Sequence, residues 1–101
     1  MSRIESAAAA KVGARIRGFR TNRLRITQSE LTERSGIETA HIRRYELGKA
    51  LPSFGGLIRI AHALGVDPGE LVSGIRPEDL CRQPEARLAE LLADPRRSPR
   101  P

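Results

Sequence analysis

The sequence predicts an all-α fold of five short helices with a short helical C-terminal extension. Helix boundaries recur along the chain. Thr27 with Glu30, Ser53, and Asp67 ahead of Pro68 are start signals, whereas Gly36, Gly48 and Gly65 are stop signals. Between these marks apolar residues return at helical spacing, as in Leu57, Ile60, Ala61 and Leu64. A chain of 101 residues, 39% hydrophobic, can bury one modest core, and with three aromatics its packing must be mainly aliphatic.

The elements follow in order. Residues 1–11 form an N-terminal extension that runs into the first helix, with Met1–Glu5 read as a disordered start and Ser6 as the N-cap. Ala7–Ala10 favours helix strongly, and Val12, Ile16 and Phe19 then make an inward stripe. Thr27 and Glu30 have capping-box spacing, in which each side chain satisfies the other residue's free N–H. Leu31 lies one turn inside this second helix, and Gly36 ends it. A third helix runs from Glu38 or Thr39 to just before Gly48. Ile42, Tyr45 and Glu46 fall on its inner face, with Thr39, Ala40, Arg43, Arg44 and Leu47 opposite. Ser53 caps the fourth helix, whose first turn is weakened by Gly55 and Gly56, each up to about 1 kcal/mol less favourable than Ala. The fifth helix starts at Asp67–Pro68 and ends around Val72.

Helix, glycine turn and helix within Thr27–Gly48 is the helix-turn-helix pattern, whose second helix can enter the major groove of DNA. GARIRGFR (13–20), TQSELTERSGI (27–37), IRRYELGKALPS (42–53) and LIRIAHALGVDPGEL (57–71) together resemble the Cro and phage-repressor type of helix-turn-helix domain, also called the xenobiotic-response-element family. The resemblance covers residues 12–72 and implies a five-helix, lambda-repressor-like DNA-binding domain. It also implies that Arg20 pairs with Glu46 as a structural clasp and that Gln28 hydrogen-bonds a phosphate. Thr39, Ala40 and Arg44 align with the base-reading positions, and a two-fold dimer is expected to bind a palindromic operator.

The residues themselves favour Arg44 as the specificity residue, since a guanidinium can engage O6 and N7 of guanine together. Arg43 and Lys49 are expected at phosphates, and His41 is a further candidate DNA contact. Three departures from the family pattern stand out. One extra residue lies between Arg20 and Gln28, Thr32 replaces a small Ala, and Glu38 takes the cap position of the recognition helix. A carboxylate there suits the helix dipole but would repel phosphate.

Residues 73–101 lie beyond the resemblance and form a C-terminal extension. Pro77–Cys81 reads as one turn and Pro84–Ala93 as a helix of about ten residues, too short to be stable alone. Leu88, Leu91 and Leu92 on one side of it are the expected dimer or partner surface, and DPRRSPRP (94–101) is a basic, Pro-rich tail. This extension separates a repressor from an antitoxin that uses it to bind a toxin protein while the same DNA-binding domain autoregulates. An architectural protein without sequence preference conflicts with the well-placed polar residues of the third helix.

Net charge is +6, and its placement matters more than its size. Residues 11–72 hold eleven Lys and Arg against six acids, whereas 73–101 hold six against five. Double-stranded DNA is the partner that such a domain suits. The chain offers no set of metal ligands, because His41, His62 and Cys81 are its only histidines and cysteine. Gly55-Gly56 lacks the Lys-Ser/Thr of a phosphate loop. Neither an enzyme nor a cofactor is expected. No apolar run approaches the 18 residues of a membrane span, so no membrane partner is expected. One cysteine and no secretory-type N-terminus fit a reducing cytoplasm.

Overall fold

A computed structural model of the chain describes residues 6–80. They form α1 (Ala7–Gly18), which widens into a π-helical segment (Phe19–Leu24), then α2 (Gln28–Ser35), α3 (Thr39–Glu46), α4 (Phe54–Leu64) and α5 (Pro68–Val72). A 3₁₀ turn, Pro77–Leu80, follows. No strand occurs among the described residues, so the all-α, five-helix expectation holds. Cys81, Leu88, Leu91 and Leu92 lie outside them, as does the basic tail.

Short helices need their ends satisfied, and four N-termini are capped by side chains. Ser6 Oγ accepts from the Ala9 N–H at 3.1 Å, and Ser53 Oγ from the Gly56 N–H at 3.0 Å. The Thr27–Glu30 box is reciprocal, at 3.0 and 2.7 Å. Asp67 accepts from the Gly69 N–H at 2.9 Å while Glu70 accepts from the Asp67 N–H at 3.1 Å. Glu38 stands at the N-cap of α3 but its side chain makes no capping bond, so only its charge can aid that helix.

Each helix contributes one large side chain that is fully buried: Ile16, Leu31, Ile42, Ile60 and Leu71. Val12, Ile37, Ala61, Leu64 and Val66 complete the core, with Phe19, Tyr45, Leu57 and Ile75 packed at its edge. Burying such an aliphatic side chain stabilises the fold by about 1.5–3 kcal/mol. The helical unit extends past 12–72 at both ends, since Ala8 and Ala9 are buried and Ile75 packs on the core.

The α1–α3 crossing depends on small residues. A Cβ on Gly13 would lie 2.0 Å from the Tyr45 carbonyl oxygen, and one on Gly48 would meet Ala10 Cα at 3.2 Å. Backbone therefore rests on backbone here, and no side chain can intervene. This approach fixes the axis of α3 against the rest of the domain.

The stretch between Arg20 and Gln28, one residue longer than the family pattern, begins in the π-helical segment, so helix continues to Leu24 and the turn has three residues, 25–27. An inserted residue widens the helix locally and leaves its entry and exit in register with the core. Arg25 then adopts the left-handed conformation, φ 58° and ψ 46°, with its N–H donated to the Arg20 carbonyl. It is the single non-glycine residue with positive φ among those described. For an L side chain that conformation costs about 1–2 kcal/mol.

Candidate nucleic-acid interface

The site is built outward from one carboxylate. Glu46, at the last position of α3, has a side chain only 3% exposed. Its Oε2 accepts from Arg20 Nε at 2.6 Å, and its Oε1 accepts from Arg20 Nη2 at 2.9 Å. The same Oε1 accepts from Gln28 Nε2 at 3.0 Å, and Arg20 Nη1 donates to the Ile26 carbonyl at 2.9 Å. Hydrogen bonding to Glu46 raises the Arg20 pKa, with burial opposing it, so the guanidinium stays charged. The cluster thereby joins the π-helical segment, the Arg25–Thr27 turn, the first residue of α2 and the end of α3. A bidentate arginine–carboxylate pair fixes angle as well as distance.

The start of α3 is held differently. Gly36 ends α2 with φ 78°, its N–H donated to the Thr32 carbonyl at 2.8 Å. Ser35 Oγ accepts from the Ile37 N–H at 3.1 Å, and Ile37 inserts into the core. Thr32 and Thr39 share a hydrogen bond at 2.8 Å between their hydroxyls. Thr32, where the family pattern has a small Ala, therefore replaces apolar contact with a polar tie between α2 and α3.

Held at both ends, α3 presents one open face. Ala40, His41, Arg43 and Arg44 are exposed, as is Lys49 just past the helix. Leu47 is 58% exposed on the same side. The His41 ring stacks on Tyr45 with centroids 6.5 Å apart. Two of the expected DNA contacts are less free. Thr39 is half-buried, with its hydroxyl engaged by Thr32. Gln28 is half-buried and donates one amide hydrogen to Glu46, leaving its other hydrogen and its carbonyl for a partner. His62 is exposed on α4, away from α3 in sequence and joined to no other described ionisable group.

Two arginines that the sequence did not single out lie in the stretch leading into α2. Arg25 is exposed on the turn that the clasp secures. Arg23 lies over the Phe19 ring, 5.6 Å from its centroid, in a cation–π contact. The extra residue before Gln28 marks this stretch in the sequence, although it does not disclose the backbone geometry. Among the described residues no group of three or more His, Cys, Asp or Glu could hold a metal ion. No helix among them is long and apolar enough to cross a membrane.

Comparison with known proteins fits this geometry. The helix-turn-helix family model HTH_3 matches residues 16–71. Curated proteins gave no match. Among solved structures, the restriction-modification controller protein C.AhdI from Aeromonas hydrophila is 31% identical with a TM-score of 0.61, over 64% of this chain and 97% of that one. The P22 c2 repressor, solved in complex with a synthetic operator, is 30% identical with a TM-score of 0.58, over 62% of this chain and 94% of that one. The clp gene regulator ClgR from C. glutamicum is 28% identical with a TM-score of 0.58, over 63% and 82% of the respective chains. With its capped second helix, glycine turn and exposed third helix, the chain belongs to the Cro/C1-type helix-turn-helix family of DNA-binding transcription regulators.

Proposed function

We propose that the protein is a sequence-specific repressor that binds a palindromic operator as a two-fold dimer. The observation that carries this reading is the open face of α3, bearing Ala40, Arg43 and Arg44 and fixed by the Glu46 cluster. In the major groove Arg44 donates to O6 and N7 of a guanine, the Ala40 methyl meets thymine, and Thr39 contacts a base edge. Arg43, Lys49 and the remaining amide hydrogen of Gln28 lie on phosphates, with His41 a further contact. Occluding the promoter then accounts for repression.

A dimer doubles the sequence read and places two copies of α3 about 34 Å apart, in successive major grooves. Its contact surface is proposed to include Leu88, Leu91 and Leu92. If each monomer neutralises about three to four phosphates, the log–log salt slope of binding is about −5 to −7. The antitoxin reading depends on residues 77–101, and no observation on residues 6–80 favours it.

Selection of sites from a randomised duplex pool at near-physiological salt tests the proposal. A palindrome with half-sites one helical turn apart is the expected result. Salt-sensitive binding without any enriched sequence would overturn sequence-specific repression and direct attention to a partner for the C-terminal extension.

A further inference from the structure

The chain holds an arginine in the left-handed conformation, at a turn where glycine would carry no steric penalty. Residues held in sparsely populated backbone regions persist where the surroundings dictate them, and they cluster at functional positions. The surroundings of Arg25 are well defined. Leu24 and Ile26, on either side, are packed against the core, and Arg20 Nη1 grips the Ile26 carbonyl. The side chain between them is exposed and has no hydrogen-bonding or ionic partner among the described residues. Nothing within the described fold offsets the strain through that side chain, so its partner is sought outside.

Position indicates the partner's chemistry. Arg25 stands three residues before Gln28, at the start of α2. Both are referred to the recognition helix through Glu46, directly for Gln28 and through Arg20 and Ile26 for the turn. An exposed cation three residues before the N-terminus of α2 is chemically suited to phosphate, the sequence-independent part of a duplex. We propose that Arg25 is a dedicated phosphate contact, which the π-helical insertion lifts to the flank of the half-site read by α3. The proposal rests on the DNA-binding reading above and extends the interface beyond the residues named there.

The same residue should then affect stability and binding in opposite directions. In the full-length chain, Arg25→Gly relieves the backbone and removes the cation. Its Tm should rise, while its affinity for the selected operator and for a random-sequence duplex should fall alike, by about tenfold per monomer at about 0.1 M salt. The log–log salt slope should shrink by about 1 per monomer. Arg25→Gln should lose the same slope without the gain in Tm, and Arg25→Lys should keep the slope. Wild-type affinity and slope in a stabilised Arg25→Gly protein would overturn the inference while leaving the DNA-binding reading intact. A fall in its Tm would overturn it too, because Arg25 would then be serving the fold. So would loss confined to the operator with an unchanged slope, which would make Arg25 a base reader. If the wild-type chain binds neither duplex, both readings fall.

Discussion

The α2–α3 turn and the α1–α2 junction reverse the chain between short helices, and both place one residue in the left-handed region. At the first that residue is Gly36, φ 78°; at the second it is Arg25, φ 58°. Glycine adopts this conformation about as readily as any other, so Gly36 only has to let the chain turn. Arginine adopts it at a penalty, and a π-helical segment precedes it. A similar backbone geometry is thus economical in one place and strained in the other. Both junctions are tied by side chains, the α2–α3 turn through neutral hydroxyls of Thr32, Ser35 and Thr39 and the strained one through the charged pair of Arg20 with Glu46, which Gln28 joins. Where the chain must turn next to a binding face, geometry alone does not decide the residue; the side chain presented to solvent does.

The largest effect should come from cutting the tie that holds the junction. Arg20→Ala strands the Glu46 carboxylate, whose side chain is 3% exposed, and frees the Ile26 carbonyl. Breaking a buried pair in this way costs about 3–5 kcal/mol, readable as a drop in the urea midpoint. Replacing both partners with apolar residues, Arg20→Met with Glu46→Leu, should recover much of that stability, because no charge is left alone. DNA affinity of the double variant should stay low, since the α1–α2 turn is no longer indexed to α3. A double variant as unstable as Arg20→Ala would show that the cluster supports the fold through more than charge pairing.

Adjacent arginines on the face that the two turns support should separate by function. Arg44→Ala is expected to relax specificity at one guanine per half-site, by about 1–3 kcal/mol in competition binding. Arg43→Ala should instead weaken all sequences alike and lower the salt slope by about 1 per monomer. Equal behaviour of the two variants would mean that α3 is less rigidly oriented than its ties imply.

Gly36→Ala compares the turns directly. A Cβ there meets only Arg59 Nη1 at 3.9 Å, an ordinary contact, so the cost is conformational. Loss of about 1–2 kcal/mol is expected in thermal melts, opposite in sign to the change at Arg25→Gly. Equal signs would remove the contrast on which the reading of the junction rests.

The sequence disclosed what is local. Ser6, Thr27, Ser53 and Asp67 were legible as caps because a cap involves a residue and its own next turn. Gly36 and Gly65 were legible as stops for the same reason. The pairing of Arg20 with Glu46, 26 residues apart, came from the family resemblance and not from periodicity. What could not be read is where distant backbones touch. Gly13 looks like an ordinary weak point in a helix until the Tyr45 carbonyl is seen against it. The extra residue before Gln28 was visible as a count, but a count does not choose between a longer loop and a π-helical bulge. Thr32 reads as a replacement for a small Ala and Thr39 as a residue of the outer face, seven positions apart, until the turn brings their hydroxyls to 2.8 Å.

A second tie on α1 offers the smallest test. Lys11 Nζ lies 3.1 Å from Asp79 Oδ2, and the Arg76 N–H donates to the same oxygen at 2.9 Å. This pairing joins α1 to the 3₁₀ turn, as Arg20–Glu46 joins the π-helical segment to α3, but its lysine is open to water. The Arg76 N–H, followed by the Lys11 ammonium, holds the Asp79 carboxyl below its ordinary value of 3.8. A pKa lowered in the folded state means that the unfolded chain binds the proton more readily. Its contribution to stability is therefore present above the unfolded pKa, near 4, and is lost as pH falls through the lower folded value. Asp79→Asn should depress Tm slightly at pH 7, and the gap from wild type should close as the melts are taken below pH 4. A gap that persists in acid would mean that the side chain's neutral hydrogen bonding, and not its charge, holds the turn against α1.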